Sequence, residues 1–101
     1  MNVRMQIAPG RDASTGSLSF QLSLAEIEGS GGTASSHFET LGQVTGALRS
    51  IGFDEPSIRF AEKTLKTGLT YTKPDLELSG GDLRRLRIQQ MRRLAERGRE
   101  R

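Results

Sequence analysis

Hydrophobic and polar positions alternate along the first 25 residues. Val3, Met5 and Ile7 fall on one face of an extended chain, with Asn2, Arg4 and Gln6 on the other. After the turn-forming stretch APGRDASTGS the alternation becomes stricter. Leu18, Phe20, Leu22 and Leu24 oppose Ser17, Ser19, Gln21 and Ser23. A period of two marks a strand with one buried face. Two such runs predict an antiparallel hairpin, 1–8 against 17–25, with its second face wet.

The pattern then lapses. GSGGTASS (29–36) offers almost no apolar side chain to offset the entropy of ordering it, so it is expected to be a flexible linker, as is 9–17. Beyond it the period changes to that of a helix, through Phe38, Leu41, Val44, Leu48 and Ile51. Ser36 and Glu39 have the spacing of a capping box at its start, and Gly52 suits its end. Gly42 and Gly46 lie one turn apart inside it. Each costs about 1 kcal/mol against alanine, so they are expected to form a smooth strip where another backbone comes close. DEPSIRFAEKTLKTG reads as a second helix, capped by Asp54, with Pro56 in its first turn, Gly68 at its end and Ile58, Ala61 and Leu65 as its apolar stripe.

LTYTKPDLELS predicts a short strand or a hairpin turning at Lys73-Pro74-Asp75. Ser79 or Asp82 then caps a last helix carrying Leu83, Leu86, Met91 and Leu94. The order predicts an α+β fold: an N-terminal antiparallel β-hairpin, two central helices, a short strand or hairpin, and an arginine-rich C-terminal amphipathic helix. Its body is 1–81, followed by a basic helix over 82–101 that frays at its end.

Charge divides the chain at the same place. Residues 1–81 hold seven cations and nine acids, net −2; residues 82–101 hold eight arginines and three acids, net +5. On a helix Arg85, Arg92 and Arg99 share one strip, with Arg84 and Arg93 on its flanks and Leu83, Leu86 and Leu94 on the far side. Three acids cannot neutralise eight arginines, and the planar guanidinium suits bidentate contact with carboxylate or phosphate. Arg84, Arg85, Arg92, Arg93, Arg99, Leu86 and Leu94 are therefore the candidate binding residues.

Composition narrows the chemistry. A chain of 101 residues with 34% hydrophobic residues, one tyrosine and no tryptophan makes one small domain with a thin core. The lack of cysteine excludes disulfides, thiolate catalysis and cysteine metal sites, and His37 is the single histidine, so neither cofactor nor metal is expected. No apolar run approaches the length of a membrane span, and the N-terminus does not read as a signal peptide, so a cytoplasmic location is expected. GSGGTASS lacks the lysine of a phosphate-binding loop, and Glu26 and Glu28 precede it. The acidic pairs Glu26/Glu28, Asp54/Glu55 and Asp75/Glu77 come with no sign of a pocket that would set two carboxyls apart.

These observations predict a non-enzymatic protein–protein interaction module, an adaptor or regulator, whose C-terminal helix meets an acidic partner. Self-association is compatible with it; a membrane role ranks behind. The alternative is a nucleic-acid-binding regulator using the same arginines. Residues 41–66 would then be a helix-turn-helix-like pair and 69–78 a wing. Against this stand the acidic start of the second helix, Asp54-Glu55, and the lack of aromatic residues beside the arginines.

Overall fold

A computed structural model describes residues 2–11, 14–27 and 32–88. The chain runs β1 (Asn2–Arg11), β2 (Leu18–Glu26), β3 (Thr33–Phe38), α1 (Leu41–Ser50), α2 (Glu55–Lys66), β4 (Tyr71–Glu77) and α3 (Gly80–Arg85). The four strands form one antiparallel sheet in the order β3-β2-β1-β4. The α+β class and the N-terminal hairpin are as the alternation predicts. Met5 lies opposite Leu24 and Ile7 opposite Leu22, so the two apolar sets share one face. Gln6 opposite Ser23 and Ala8 opposite Gln21 share the other.

The apolar face is the floor of the core. Val3, Met5, Ile7, Phe20, Leu22 and Leu24 are buried there, together with Phe38 and Tyr71 from the two edge strands. α1 contacts β2 and β3, whereas α2 contacts β1 and β4, so the two helices lie side by side over the sheet. Val44 and Leu48 of α1 and Ile58, Ala61 and Leu65 of α2 pack down on it, and Leu78, Leu86 and Ile88 join the same cluster. The result is two layers with one sheet face left to solvent.

β3 corrects the reading of the small-residue stretch. Thr33 to Phe38 pair with Ala25 to Phe20 without a break in register. The expected linker 29–36 is thus divided: 29–31 lie outside the described residues, and 33–36 form most of a strand. The N–H of Glu26 donates to the carbonyl of Gly32 at 2.8 Å, closing the turn into it. Ladder bonds to β2 and the burial of Phe38 meet the ordering cost that the small side chains alone could not. Likewise Pro9, Gly10 and Arg11 of the expected loop 9–17 belong to β1.

The start of α1 moves accordingly. Ser36 is in the strand and caps nothing; Thr40 is the cap, its Oγ1 accepting the N–H of Gln43 at 3.1 Å. The Gln43 side chain reaches back to accept the N–H of Glu39 at 2.9 Å. Gly42 and Gly46 are not a site of close approach. A Cβ at Gly42 would meet only the Thr40 hydroxyl, at 3.8 Å, and one at Gly46 would meet nothing within 4 Å. α2 is capped by Asp54, whose Oδ1 accepts the N–H of Ser57 at 2.9 Å, with Pro56 in the first turn as expected.

Residues 69–78 contribute one strand rather than a hairpin. Between Val3 and Met5 the register of β4 slips, because Leu76 faces Val3 while Lys73 faces Met5. Pro74 lies in this bulge, on the edge strand, where a missing N–H costs least.

Candidate functional site

All three helices end in the same way, and the third ending decides where the arginines go. At α1 the N–H of Phe53 donates to the carbonyl of Leu48 and that of Gly52 to Arg49, with Gly52 at φ 99. At α2 Leu69 bonds back to Thr64 and Gly68 to Leu65, with Gly68 at φ 85. These are Schellman motifs with glycine in the left-handed position. At α3 Ile88 bonds to Leu83 at 2.8 Å and Arg87 to Arg84 at 3.0 Å, and the left-handed residue is Arg87, at φ 65.

Ile88 explains the stop. Residues two apart on a helix point about 200° away from each other, so Leu86 and Ile88 could not both reach one core from a continuing helix. The left-handed turn at Arg87 lets them do so. Leu86 is fully buried and Ile88 is 3% exposed, with Leu83 packed beside them. The helix expected over 82–101 therefore does not run unbroken from 82. It begins at Gly80 under a Ser79/Asp82 capping box and closes after Arg85. On a straight helix Ile88 would fall within the arginine strip, and this apolar misfit was the available signal for the break.

Three of the seven candidate binding residues are among the described ones. Arg84 and Arg85 are exposed on α3, and Arg85 donates to Asp82 at 3.1 Å. Leu86 lies in the domain's own core, where no partner can touch it. Arg87 folds over the Phe38 ring, its guanidinium carbon 5.1 Å from the centroid, and so lids the end of β3. Arg92, Arg93, Leu94 and Arg99 lie outside the described residues.

A different surface stands out on the opposite edge. Phe60 is 65% exposed on the flank of α2 and meets Tyr71 of β4 edge-on, with ring centroids 6.1 Å apart. Ile58, Ala61 and Leu65 turn α2 toward the sheet, which places Ser57, Phe60 and Thr64 along the flank that overhangs β4. Pro56, Ser57 and Phe60 from the helix and Tyr71, Lys73 and Pro74 from the strand line an open groove of ≈ 420 Å³. Helical periodicity could not find it, because Phe60 lies off the apolar stripe. The signal was the largest apolar side chain of α2 standing among Arg59, Lys63 and Thr64.

The perturbed groups have structural causes. Hydrogen bonds from Ser57, assisted weakly by the charge of Lys73, hold the Asp54 carboxyl below the ordinary aspartate range. The Ser79 N–H does the same for Asp82. Burial alone raises Tyr71. Among the described residues no cluster of His, Asp or Glu could hold a metal ion, and no helix is long and apolar enough to cross a membrane.

His37 is exposed on β3, beside Gln21 on the open face of the sheet. Ser35, Ser23, Gln6 and Thr72 form the neighbouring row across all four strands. Among the described residues this face carries Arg4 as its one cation, His37 as its one ring and no phenylalanine, tyrosine or tryptophan, so it lacks the set of stacking aromatics that sheet-based nucleic-acid modules use. Searches of protein-family models, of curated proteins and of solved structures found no match to this chain.

Proposed function

We propose that this is a non-enzymatic interaction module that holds an acidic protein partner in the groove between α2 and β4. The observation that carries the reading is Phe60. A phenylalanine 65% exposed, in a chain with only four, forgoes about 1–2 kcal/mol of burial. Its position over Tyr71, walled by Pro56 and Pro74, suits the reception of an apolar side chain from a partner. Lys73 in the groove and Lys63, one turn along α2 from Phe60, are the cations that favour an acid beside that anchor, with Asp54, Glu55 and Asp75 at its far ends. The arginines of 82–101 add a second positive region, of which Arg84 and Arg85 are exposed on α3.

The bulge at Pro74 argues for side-chain capture in place of strand addition, since a bulged, proline-bearing edge is a poor ladder. The nucleic-acid alternative would rest on the arginines alone. The helix pair 41–66 packs its apolar stripe on the sheet, and the expected wing is an integral strand.

The test is selection from a library of displayed peptides on the wild-type protein, with counter-selection on Phe60→Ser. Peptides pairing an aromatic residue or leucine with Asp or Glu should be enriched, and their binding should weaken with Lys73→Glu and with rising salt. Equal retention by Phe60→Ser would overturn the reading. So would tight, salt-sensitive binding of a fluorescent oligonucleotide with no peptide selected, which would favour the nucleic-acid alternative.

A further inference from the structure

We propose that two copies of this chain pair through the outer flank of α2, the helices antiparallel about a two-fold axis at Phe60. Among the described residues the two most exposed large apolar side chains are Phe60, at 65%, and Leu69, at 63%. Both belong to this flank. Leu69 follows α2 and leads into β4, and its N–H donates to the carbonyl of Thr64, one helical turn beyond Phe60. The groove is lined by Pro56, Ser57 and Phe60 and by residues 71–74, and does not extend to Leu69. A single side chain received in the groove therefore leaves Leu69 bare, whereas a second helix laid along the flank covers both.

The charge pattern of α2 identifies the second helix as a copy of itself. Phe60 stands at the middle of Glu55–Lys66, so a two-fold there lays the helix on its own length. At about 100° per residue, Pro56, Phe60, Lys63 and Thr64 share an outward strip, away from the sheet-facing Ile58, Ala61 and Leu65. About the two-fold, Phe60 meets Phe60, Pro56 meets Thr64 and Ser57 meets Lys63. The start of the helix is acidic, with Asp54 as its cap and Glu55 in its first turn, and its last turn carries Lys63 and Lys66. Antiparallel pairing brings these unlike ends together and opposes the two helix dipoles. Ser57 holds the Asp54 carboxylate, so Lys63 of one copy arrives beside Asp54 of the other. Lys66 is engaged with Glu62 at 3.9 Å, whereas Lys63 makes no salt bridge among the described residues. Lys73 is the like charge at the acidic end, where Asp54, Glu55 and Asp75 outnumber it. A parallel pair would set Lys63 against Lys63.

The interface is short, below the roughly 1,200 Å² of a standard stable complex, so the dimer is expected to be weak and concentration-dependent. It covers Phe60, so the groove opens on dissociation, and a rising concentration of the chain opposes partner binding. That regulatory consequence rests on the groove reading; the pairing itself does not.

Sedimentation equilibrium of the full chain from about 5 µM to about 1 mM, a range chosen for a weak interface, should show a reversible monomer–dimer exchange. Phe60→Ser should abolish it. Leu69→Ser, outside the groove, should weaken the dimer about tenfold and leave capture of the selected peptides unchanged. Both side chains are exposed, so circular dichroism should remain that of the folded chain. Cross-linking reads the register without removing either anchor. The chain has no cysteine, so Pro56→Cys and Thr64→Cys each introduce a single thiol. In a glutathione redox buffer an equimolar mixture should form the 56–64 disulfide between copies, and each variant alone should link far less. A chain monomeric throughout the range overturns the proposal. So does a dimer that Phe60→Ser and Leu69→Ser leave intact, or linkage of each thiol variant to itself in preference to the mixed pair. A monomeric chain that still captures peptides overturns the pairing alone; a dimer with no peptide selected overturns the groove reading alone.

Discussion

Arg87 offers a test in which the sign of an effect, not its size, carries the answer. It occupies the left-handed position that closes α3, at φ 65, where glycine stands at the ends of α1 and α2. A side chain there costs about 1–2 kcal/mol in steric crowding of Cβ. Arg87→Ala keeps that cost and loses the contact with the Phe38 ring, which at an exposed site is worth about 0.5–1 kcal/mol. Arg87→Gly loses the same contact and removes the crowding, at the expense of a more flexible unfolded chain. The balance favours glycine over alanine by about 1 kcal/mol. On a helix continuing through 87 the order would reverse, with alanine better by about 1 kcal/mol. Urea denaturation of the two variants, followed by far-ultraviolet circular dichroism, resolves a difference of that size. A domain of this size should show it as roughly 4–8 °C in Tm. If Arg87→Ala is the more stable, the left-handed closure is wrong, and with it the account of how Ile88 enters the core.

Three further substitutions probe the packing and the caps. Gly46→Ala should stabilise the chain by about 0.5–1 kcal/mol in urea denaturation, because the added Cβ meets nothing and the unfolded state loses freedom; a loss of stability would mean that something packs against α1 there. Ser36→Ala should leave monomer stability unchanged or raise it by up to about 1 kcal/mol at low concentration, since it deletes a buried hydroxyl that has no partner; a loss above about 1 kcal/mol would reveal a bond to that oxygen. Asp54 and Asp82 are held below their ordinary pKa in the folded chain, so their stabilising effect is present above the unfolded aspartate range and is lost as pH falls through the folded values. Asp54→Asn with Asp82→Asn should flatten the acid limb of a stability–pH curve, and an unchanged limb would place the acid sensitivity elsewhere.

The pattern in the sequence was most legible where one element buries one face and least where two elements share a burial task. Met5 and Ile7, which lie opposite Leu24 and Leu22, state the hairpin and its buried face, because each strand keeps a period of two along its length. Ile58, Ala61 and Leu65 state α2 equally well, and Asp54, Pro56 and Gly68 mark its ends. Phe38 defeated the same logic. It lies at helical spacing from Leu41 and Val44, yet it reaches the core from β3, because a strand end and a helix start over the same sheet can aim at one point. With Phe38 counted in the helical stripe, Ser36 takes the cap position and 33–36 have no apolar residue left to mark a strand. The small residues of 33–36 carry little propensity of their own; their conformation is set by the vacant edge of β2, which is a tertiary fact.

The last helix closes earlier than its stripe suggests for a related reason, while 89–101 lie outside the described residues. Leu83 and Leu86 fit a helix facing the core, and a stripe extended through Met91 and Leu94 looked continuous. Ile88 breaks that stripe, and the chain leaves the helix to bury it, accepting a non-glycine residue in the left-handed region. A full isoleucine side chain gains about 1.5–3 kcal/mol on burial, which outweighs the roughly 1–2 kcal/mol of crowding at Arg87. Phe60 shows the same comparison with the opposite result. No turn of α2 could bury it without exposing Ile58 or Leu65, so it stays outside, over Tyr71. Periodicity identifies the residues that agree with an element. The two that disagree, Ile88 and Phe60, fix where the chain turns back into its core and where α2 leaves an aromatic ring outside it.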